Sequence, residues 1–143
     1  MIDILTWGVY SNRKEESIKN KWLSLAKMVL EKGADPNESN KEDDSPLVIA
    51  VRNQDYSSVE LLIKFNVKVN AQDKEGDTAM LTVVTSGFDK DVYDFELVKL
   101  LLAHGADPNI KNNSGYSALE NSRSIGGTNI VTVIGLFESF GKK

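Results

Sequence analysis

A short loop sequence that returns at a fixed interval constrains this chain more than any other feature. Residues 33–37 read Gly-Ala-Asp-Pro-Asn, and the same five residues return at 105–109. A weaker copy at 66–70, Asn-Val-Lys-Val-Asn, lies 33 residues after the first loop and 39 residues, or 33 plus six, before the last. A period of this length is typical of repeat proteins, in which each repeat is one small supersecondary unit. We therefore expect an array of similar units.

Each loop is flanked by apolar stretches that carry helix signals. Gly33 and Gly105 follow apolar residues with helical spacing, at the place where a helix end favours a left-handed residue. Further on, Ser45 and Thr78 are good N-cap residues. Pro46 follows Ser45 at the first helical position, where the missing N–H of proline costs nothing. The pattern predicts two helices joined by a tight loop in each repeat.

The repeats are too small to be stable alone. A unit of about 33 residues cannot bury its own apolar face, so neighbouring units must stack into one continuous core. The loops divide the chain into four repeats, 1–37, 38–70, 71–109 and 110–143. The terminal repeats are expected to differ from the inner ones because they cap the array. We predict a single domain over 1–143 that is monomeric on its own.

The loops and turns resemble those of the ankyrin repeat, a unit of 33 residues with a T-P-L-H-x-A signature. The similarity rests on the loops at 33–37 and 105–109, the turn Asp-Lys-Glu-Gly-Asp-Thr at 73–78, and Ser-Pro-Leu at 45–47. It implies an all-α ankyrin-repeat solenoid of about four helix-turn-helix units with atypical terminal caps.

One part of the ankyrin pattern is missing. The signature histidine is replaced by Val48, Leu81 and Glu120. In the family, that histidine takes part in hydrogen bonds that link neighbouring repeats. We therefore expect a somewhat less rigid stack.

Composition excludes several classes of function. The chain has no cysteine and one histidine, so thiolate metal sites, cysteine nucleophiles and sites with two imidazoles are excluded. The net charge of -4 disfavours a nucleic-acid binder. No stretch is apolar enough to span a membrane, and the N-terminal residues lack a secretory signal pattern, so we expect no membrane partner and a cytoplasmic location.

Carboxylates cluster in three predicted turns, of which one holds Asp89, Asp91 and Asp94, without the features of a catalytic or metal site. Residues 42–44 and the series Asp73, Glu75 and Asp77 are expected to be exposed and solvated, whereas acid–base catalysis needs carboxylates in unlike environments. A calcium loop is rejected because residues 80–85 offer no carboxylate. His104 is expected to bond free carbonyls at a helix end. We predict no catalytic residue, no metal and no cofactor.

The third repeat carries six extra residues between its helices, at 88–93. Phe88 and Tyr93 within this insertion, together with Phe95, are interleaved with acids such as Asp89. Aromatic residues in such a setting are typical of interface anchors. A neutral extension of a surface loop is the alternative, because loops tolerate insertions at little cost.

The resemblance also implies where a partner would bind. In the ankyrin family the binding surface consists of the turn tips and the inner helices. Together with the insertion, the corresponding positions here are Lys41, Glu42, Asp44, Arg52, Asn53, Gln72, Lys74, Glu75, Asp77, Thr85, Ser86, Phe88, Asp89, Tyr93, Phe95, Asn113 and Tyr116.

Charge distribution suggests the kind of partner. The four repeats carry net charges of +1, -2, -5 and +2, so acid is concentrated in the middle of the chain. Such a field attracts a basic partner. We expect a protein-binding module, and small ankyrin proteins of this kind look like inhibitors or immunity proteins for basic bacterial toxins. A scaffold or subunit of a larger complex is the alternative, and an enzyme is a more remote one.

Overall fold

The computed structural model describes residues 16–86, 95–124 and 128–139. The chain divides into two compact units, 1–68 and 69–143, which are described in turn. The N-terminal unit contains α1 (Glu16–Glu31), α2 (Pro46–Arg52) and α3 (Tyr56–Lys64), and the C-terminal unit contains α4 (Ala79–Ser86), α5 (Phe95–Ala103), α6 (Ala118–Ser124) and α7 (Thr128–Ser139). Across the described ranges there is no strand, and a single antiparallel bridge joins Gln72 to Thr78.

In the N-terminal unit, helix α2 is the buried element. The Ser45 hydroxyl accepts a hydrogen bond from the Val48 N–H at 3.2 Å, which caps the helix as its sequence predicts. The next six residues, 46–51, are all buried. Helix α3 begins after Asp55, whose side chain accepts from Ser58, and it packs against both α1 and α2. The core of this unit therefore lies between the three helices.

In the C-terminal unit, the inner helices α4 and α6 pack against each other and against the outer helices α5 and α7. The Thr78 hydroxyl caps α4 by accepting from the Leu81 N–H at 3.2 Å. At the start of α6, Ser117 Oγ accepts from the Glu120 N–H and Glu120 Oε2 accepts from the Ser117 N–H, at 3.2 and 3.3 Å. This reciprocal pair is a capping box, which satisfies two N–H groups that the helix leaves without partners.

The ends of the outer helices α1, α3 and α5 share one geometry. The N–H of Ala34, Val67 and Ala106 each donates to the carbonyl five residues earlier, at 3.0–3.2 Å. These are Schellman-type ends, with a left-handed residue just before each donor. Leu62 and Leu101 occupy equivalent positions, four residues before that left-handed residue, and both are 0% exposed.

Candidate functional site

Three turns of identical design precede the inner helices. They span residues 40–44, 73–77 and 112–116. In each turn the side-chain oxygen of the first residue accepts the N–H groups of the third and fifth residues, at 2.8–3.1 Å. The N–H of the first residue donates to the carbonyl of the fifth, which closes the turn. Asn40, Asp73 and Asn112 thus fix the backbone of the turns from within.

The second and third residues of each turn face solvent. Lys41 and Glu42, Lys74 and Glu75, and Asn113 and Ser114 are all exposed. The fourth residue has a positive φ, at Asp43, Gly76 and Gly115. The turn tips therefore hold exposed polar side chains on a hydrogen-bonded backbone, as the sequence predicts.

Two of the carboxylates that were expected to be solvated are buried, so that expectation is wrong for them. Asp44 is 6% exposed and its Oδ2 lies 3.3 Å from Arg52 Nη1, while Asp73 is 7% exposed. Burial raises the pKa of Asp73, and the N–H of Asp77 works in the opposite direction. Asp77 is half-buried and accepts from Asn112 Nδ2 at 2.7 Å. These three carboxylates hold the turns together, and little of Asp44 or Asp73 is accessible to a partner.

Turns 73–77 and 112–116 are joined by hydrogen bonds. The backbone N–H of Asn113 donates to Glu75 O at 3.0 Å, and its side-chain amide donates to Lys74 O at 2.9 Å. Gln72 Nε2 reaches Lys111 O at 3.0 Å. The predicted binding residues Gln72 and Asn113 are exposed, but their side-chain amides already donate to these carbonyls.

Gly76 is what permits this close approach. A Cβ atom at Gly76 would lie 2.7 Å from the backbone nitrogen and from Oδ1 of Asn113. Real side chains essentially never approach so closely, so any other residue would push the two turns apart. The two turns act as one preorganised surface because glycine stands at this position.

The C-terminal ends of the inner helices α2 and α4 carry polar residues of the predicted binding surface. Arg52, Thr85 and Ser86 are exposed, and Asn53 is half-buried with its amide bonded to Ile49 O at 2.8 Å. The Thr85 hydroxyl bonds to carbonyls of its own helix. Of the predicted residues, Phe95 begins α5 and is half-buried, while Phe88, Asp89 and Tyr93 lie outside the described residues.

Among the described residues of this surface, Tyr116 is the exposed aromatic one. It occupies the fifth position of turn 112–116, which Asp44 and Asp77 occupy in the other two turns. Its side chain is 57% exposed, unlike that of the buried Asp44. An exposed aromatic ring on a fixed backbone is a typical anchor for a protein partner.

Basic side chains accompany most of the described carboxylates of the C-terminal unit. Lys74 Nζ lies 3.8 Å from Glu75, and Arg123 lies 2.8 Å from Glu138. Lys111 lies 2.8 Å from Glu120, and its hydrogen bond lowers the pKa of that carboxyl. Basic and acidic side chains thus alternate in the described part of this unit. Of these three pairs only Lys74 and Glu75 lie in residues 71–109, whose net charge of -5 already counts both signs.

The loops after the outer helices are linked by asparagines whose role the sequence did not reveal. Asn37 Oδ1 accepts from the Lys68 N–H at 2.6 Å, and Asn70 Oδ1 accepts from the Asp107 N–H at 2.8 Å. The amide of Asn70 also donates to Gly105 O at 3.0 Å. The recurrence of asparagine at this loop position was visible in the sequence, and it was the signal that could have predicted these links.

His104 has the structural role that its position predicted. Its Nδ1 lies 2.9 Å from Leu100 O near the end of α5. Since a carbonyl can only accept, Nδ1 carries the proton in this contact. The imidazole caps the helix end, as expected.

Comparison with known proteins identifies the family. A family model for ankyrin repeats in three copies matches residues 16–112, about two thirds of the chain. The chain belongs to the ankyrin-repeat family, and its fold is the all-α ankyrin solenoid.

The relatives are longer proteins, of which this chain matches one segment. Putative ankyrin repeat protein FPV031 of Fowlpox virus is 32% identical over 104 residues, which cover 71% of this chain and 29% of the relative. Ankyrin repeat and SOCS box protein 6 of Homo sapiens is 29% identical over 136 residues, with coverage of 76% and 32%. The crystal structure of the ankyrin repeat domain of Bcl-3 matches with a TM-score of 0.68 and 26% identity, covering 82% of this chain and 49% of that domain. The chain thus spans less than a third of the length of the Fowlpox virus and Homo sapiens relatives.

The helices are too short or too polar for a bilayer. Throughout the part of the chain that is described, none of them combines the length and the apolar character that a membrane span requires.

Ankyrin repeats are protein–protein interaction modules and are generally not enzymes.

Proposed function

We propose that this chain is a non-enzymatic module that binds a protein partner through its turn tips and the exposed ends of α2 and α4. The observation that carries the proposal is the hydrogen-bonded pair of turns 73–77 and 112–116, which holds Lys74, Glu75 and Tyr116 at the surface. A preorganised surface loses little conformational freedom on binding, so more of its contact energy appears as affinity.

We restrict the proposed contacts to those predicted residues whose side chains are exposed. Asp44 leaves the set because it is buried, and Asn53, Asp77 and Phe95 leave it because they are half-buried. Gln72 and Asn113 are exposed, but their amides are already hydrogen-bonded to backbone carbonyls. The other exposed members are Lys41, Glu42, Arg52, Lys74, Glu75, Thr85, Ser86 and Tyr116. Phe88, Asp89 and Tyr93 remain proposed contacts on the strength of their sequence alone.

A basic partner is the finer form of the proposal. The net charge of -4 for the chain and -5 for residues 71–109 supports it, because a negative field speeds the approach of a positive protein. An inhibitor or immunity protein for a basic toxin is one form such a pair would take.

A scaffold or subunit of a larger complex is the second candidate. The length of the relatives favours it, since the matched segment is only 29% and 32% of two of them. Both candidates share the same binding surface. A cytoplasmic location and a monomeric state belong to the proposal as well.

The experiment is affinity capture from a lysate of the source cells, with two charge reversals compared side by side. Glu75→Lys changes a turn tip, and Glu96→Lys makes the same change on the outer helix α5. Both side chains are exposed and both lie within 4 Å of a lysine, so the two variants are closely matched. Mass spectrometry identifies the captured proteins.

The proposal predicts that a partner captured by the unchanged protein is retained by Glu96→Lys and depleted at least several-fold by Glu75→Lys. Equal capture by both variants would move the interface away from the turn tips. A basic captured protein supports the inhibitor form, and a multi-subunit assembly supports the scaffold form.

A further inference from the structure

Turn 112–116 carries an unused copy of the docking edge that turn 73–77 uses. In turn 73–77 the carbonyls of Lys74 and Glu75 accept the two donors of Asn113. The matching carbonyls in turn 112–116 belong to Asn113 and Ser114, which are both exposed. Among the residues that the structure describes, no donor is bonded to either carbonyl. These two acceptors hold the same places in their turn as the carbonyls of Lys74 and Glu75, and within the described residues they have no bonded donor.

Gly115 extends the comparison. It has a φ of +83°, close to the +79° of Gly76, so the two glycines hold the same backbone turn. A Cβ at Gly76 would collide with Asn113, whereas a Cβ at Gly115 would meet nothing within 4 Å. No described residue therefore fills the space in front of Gly115 that Asn113 fills in front of Gly76.

The two turns differ at their fifth residue, which is Asp77 in one and Tyr116 in the other. This difference indicates which kind of residue a partner would place there. Asp77 accepts the amide of Asn112, but the matching position in the last turn is Tyr116, which has no carboxylate. An aromatic face favours an apolar group over a carboxamide at that place. The occupant should therefore carry an apolar residue where turn 112–116 carries Asn112.

We propose that the edge formed by Asn113, Ser114, Gly115 and Tyr116 binds a protein segment in which an apolar residue is followed directly by asparagine. The backbone N–H and side-chain amide of that asparagine bond to the carbonyls of Asn113 and Ser114, as Asn113 itself bonds to Lys74 and Glu75. The apolar residue packs on the ring of Tyr116. This inference rests on the proposed function and specifies the chemistry of the partner.

A second copy of the chain fits this edge less well. Its turn 40–44 would bring Asn40 to Tyr116 and Lys41 to the carbonyls, in place of an apolar residue and an asparagine. The packing on Tyr116 and the side-chain amide bond would both be lost. A separate partner is therefore the better occupant.

The test is a selection of disulfide-cyclised heptapeptides, displayed on phage, against the full chain. Each selected peptide is then measured against Gly115→Ala, which places a Cβ in the path of the docked asparagine. Gly105→Ala is the matched control, because Gly105 has a φ of +85° and also has nothing within 4 Å of a Cβ. Tyr116→Ala is a second variant that keeps the turn, since the side chain it removes is exposed.

We expect a class of peptides with an apolar residue before asparagine that binds at least ten-fold more weakly to Gly115→Ala and to Tyr116→Ala, but equally well to Gly105→Ala. The inference would be overturned if the peptides sensitive to Gly115→Ala lacked asparagine, or if no selected peptide were sensitive to Gly115→Ala. Peptides that instead lose binding on Thr85→Arg would leave the proposed function standing, whereas a selection without any binder would contradict both. Self-association blocked by Gly115→Ala would make a second copy the occupant and overturn the separate partner.

Discussion

At the scale of single residues, Gly76 makes the binding surface possible by leaving room for Asn113. We expect Gly76→Ala to destabilise the protein by about 1–3 kcal/mol more than Gly105→Ala, because overpacking adds to a φ strain that both variants share. The two positions have φ values of +79° and +85°, so the comparison isolates the collision with Asn113. Urea denaturation measures the difference, and equal losses would mean that the two turns separate without cost.

Two aspartates should respond to pH in opposite directions. The backbone N–H of Asn37, together with its amide, lowers the pKa of Asp35, so ionised Asp35 stabilises the fold above its unfolded pKa and loses this effect as pH falls. Burial raises the pKa of Asp73, so its ionisation costs stability once pH exceeds its unfolded pKa, and this cost vanishes in acid.

The measurement is the urea midpoint of Asp35→Asn and Asp73→Asn at several pH values between 7 and 2.5, relative to the unchanged protein. The relative stability of Asp35→Asn should rise as pH falls, and that of Asp73→Asn should decline. Asparagine keeps the oxygen that closes the turn, as Asn40 and Asn112 do in the other turns. Parallel slopes for the two variants would contradict this assignment.

Residue identity predicted the backbone of the turns better than the fate of their charges. Asp, Asn and Gly mark turns because of local backbone preferences, and the structure has turns at 40–44 and 73–77, where the sequence predicted them. Burial of Asp44 and Asp73 depends on neighbours that a local pattern does not contain. The docking of Asn113 on Lys74 likewise joins residues 39 positions apart, which no local pattern predicts.

At the scale of elements, the buried face of each outer helix carries the stability. Leu101→Ala should cost about 2–5 kcal/mol, because it opens a cavity at a site that is 0% exposed. Leu102→Ala is the matched control, since it makes the same change one position along α5 at a half-buried site. Unfolding by urea should show a clearly smaller loss for Leu102→Ala, and equal losses would mean that the helix is rotated.

The helices themselves followed from the sequence because their signals are local. Ser45 and Thr78 cap their helices as expected, and Asn66 takes the left-handed position that glycine takes in the other loops. The residues that replace the signature histidine have different roles in the structure. Leu81 is buried, whereas Glu120 joins a capping box. The expected loss of rigidity stays a prediction.

At the scale of the whole molecule, charge should affect how fast a partner arrives more than how long it stays. We expect the double variant Glu42→Lys with Glu75→Lys to lower the association rate of a basic partner and to reduce its dependence on salt, because exposed charges steer diffusion. Stopped-flow or surface plasmon resonance at two salt concentrations measures both. An association rate that does not change would remove the argument for a basic partner.

The repeat architecture was predictable at this scale, because the period and the loop residues define it. The identity of the partner was not, because recognition depends on which exposed residues a partner meets. Net charge does not describe the local surface, since it does not show that Lys74, Lys111 and Arg123 lie directly beside acids. A single domain over 1–143 and contacts from the insertion remain predictions.

The central claim, that partners bind at the turn tips, is tested most directly by removing one exposed tyrosine at a time. Tyr116 lies in a turn tip and is 57% exposed, while Tyr56 begins the outer helix α3 and is 36% exposed. For a captured partner, Tyr116→Ala should speed dissociation about ten-fold or more, which is about 1.4 kcal/mol, and Tyr56→Ala should leave it unchanged. Faster dissociation with Tyr56→Ala and no change with Tyr116→Ala would place the interface on the outer helices and contradict the claim.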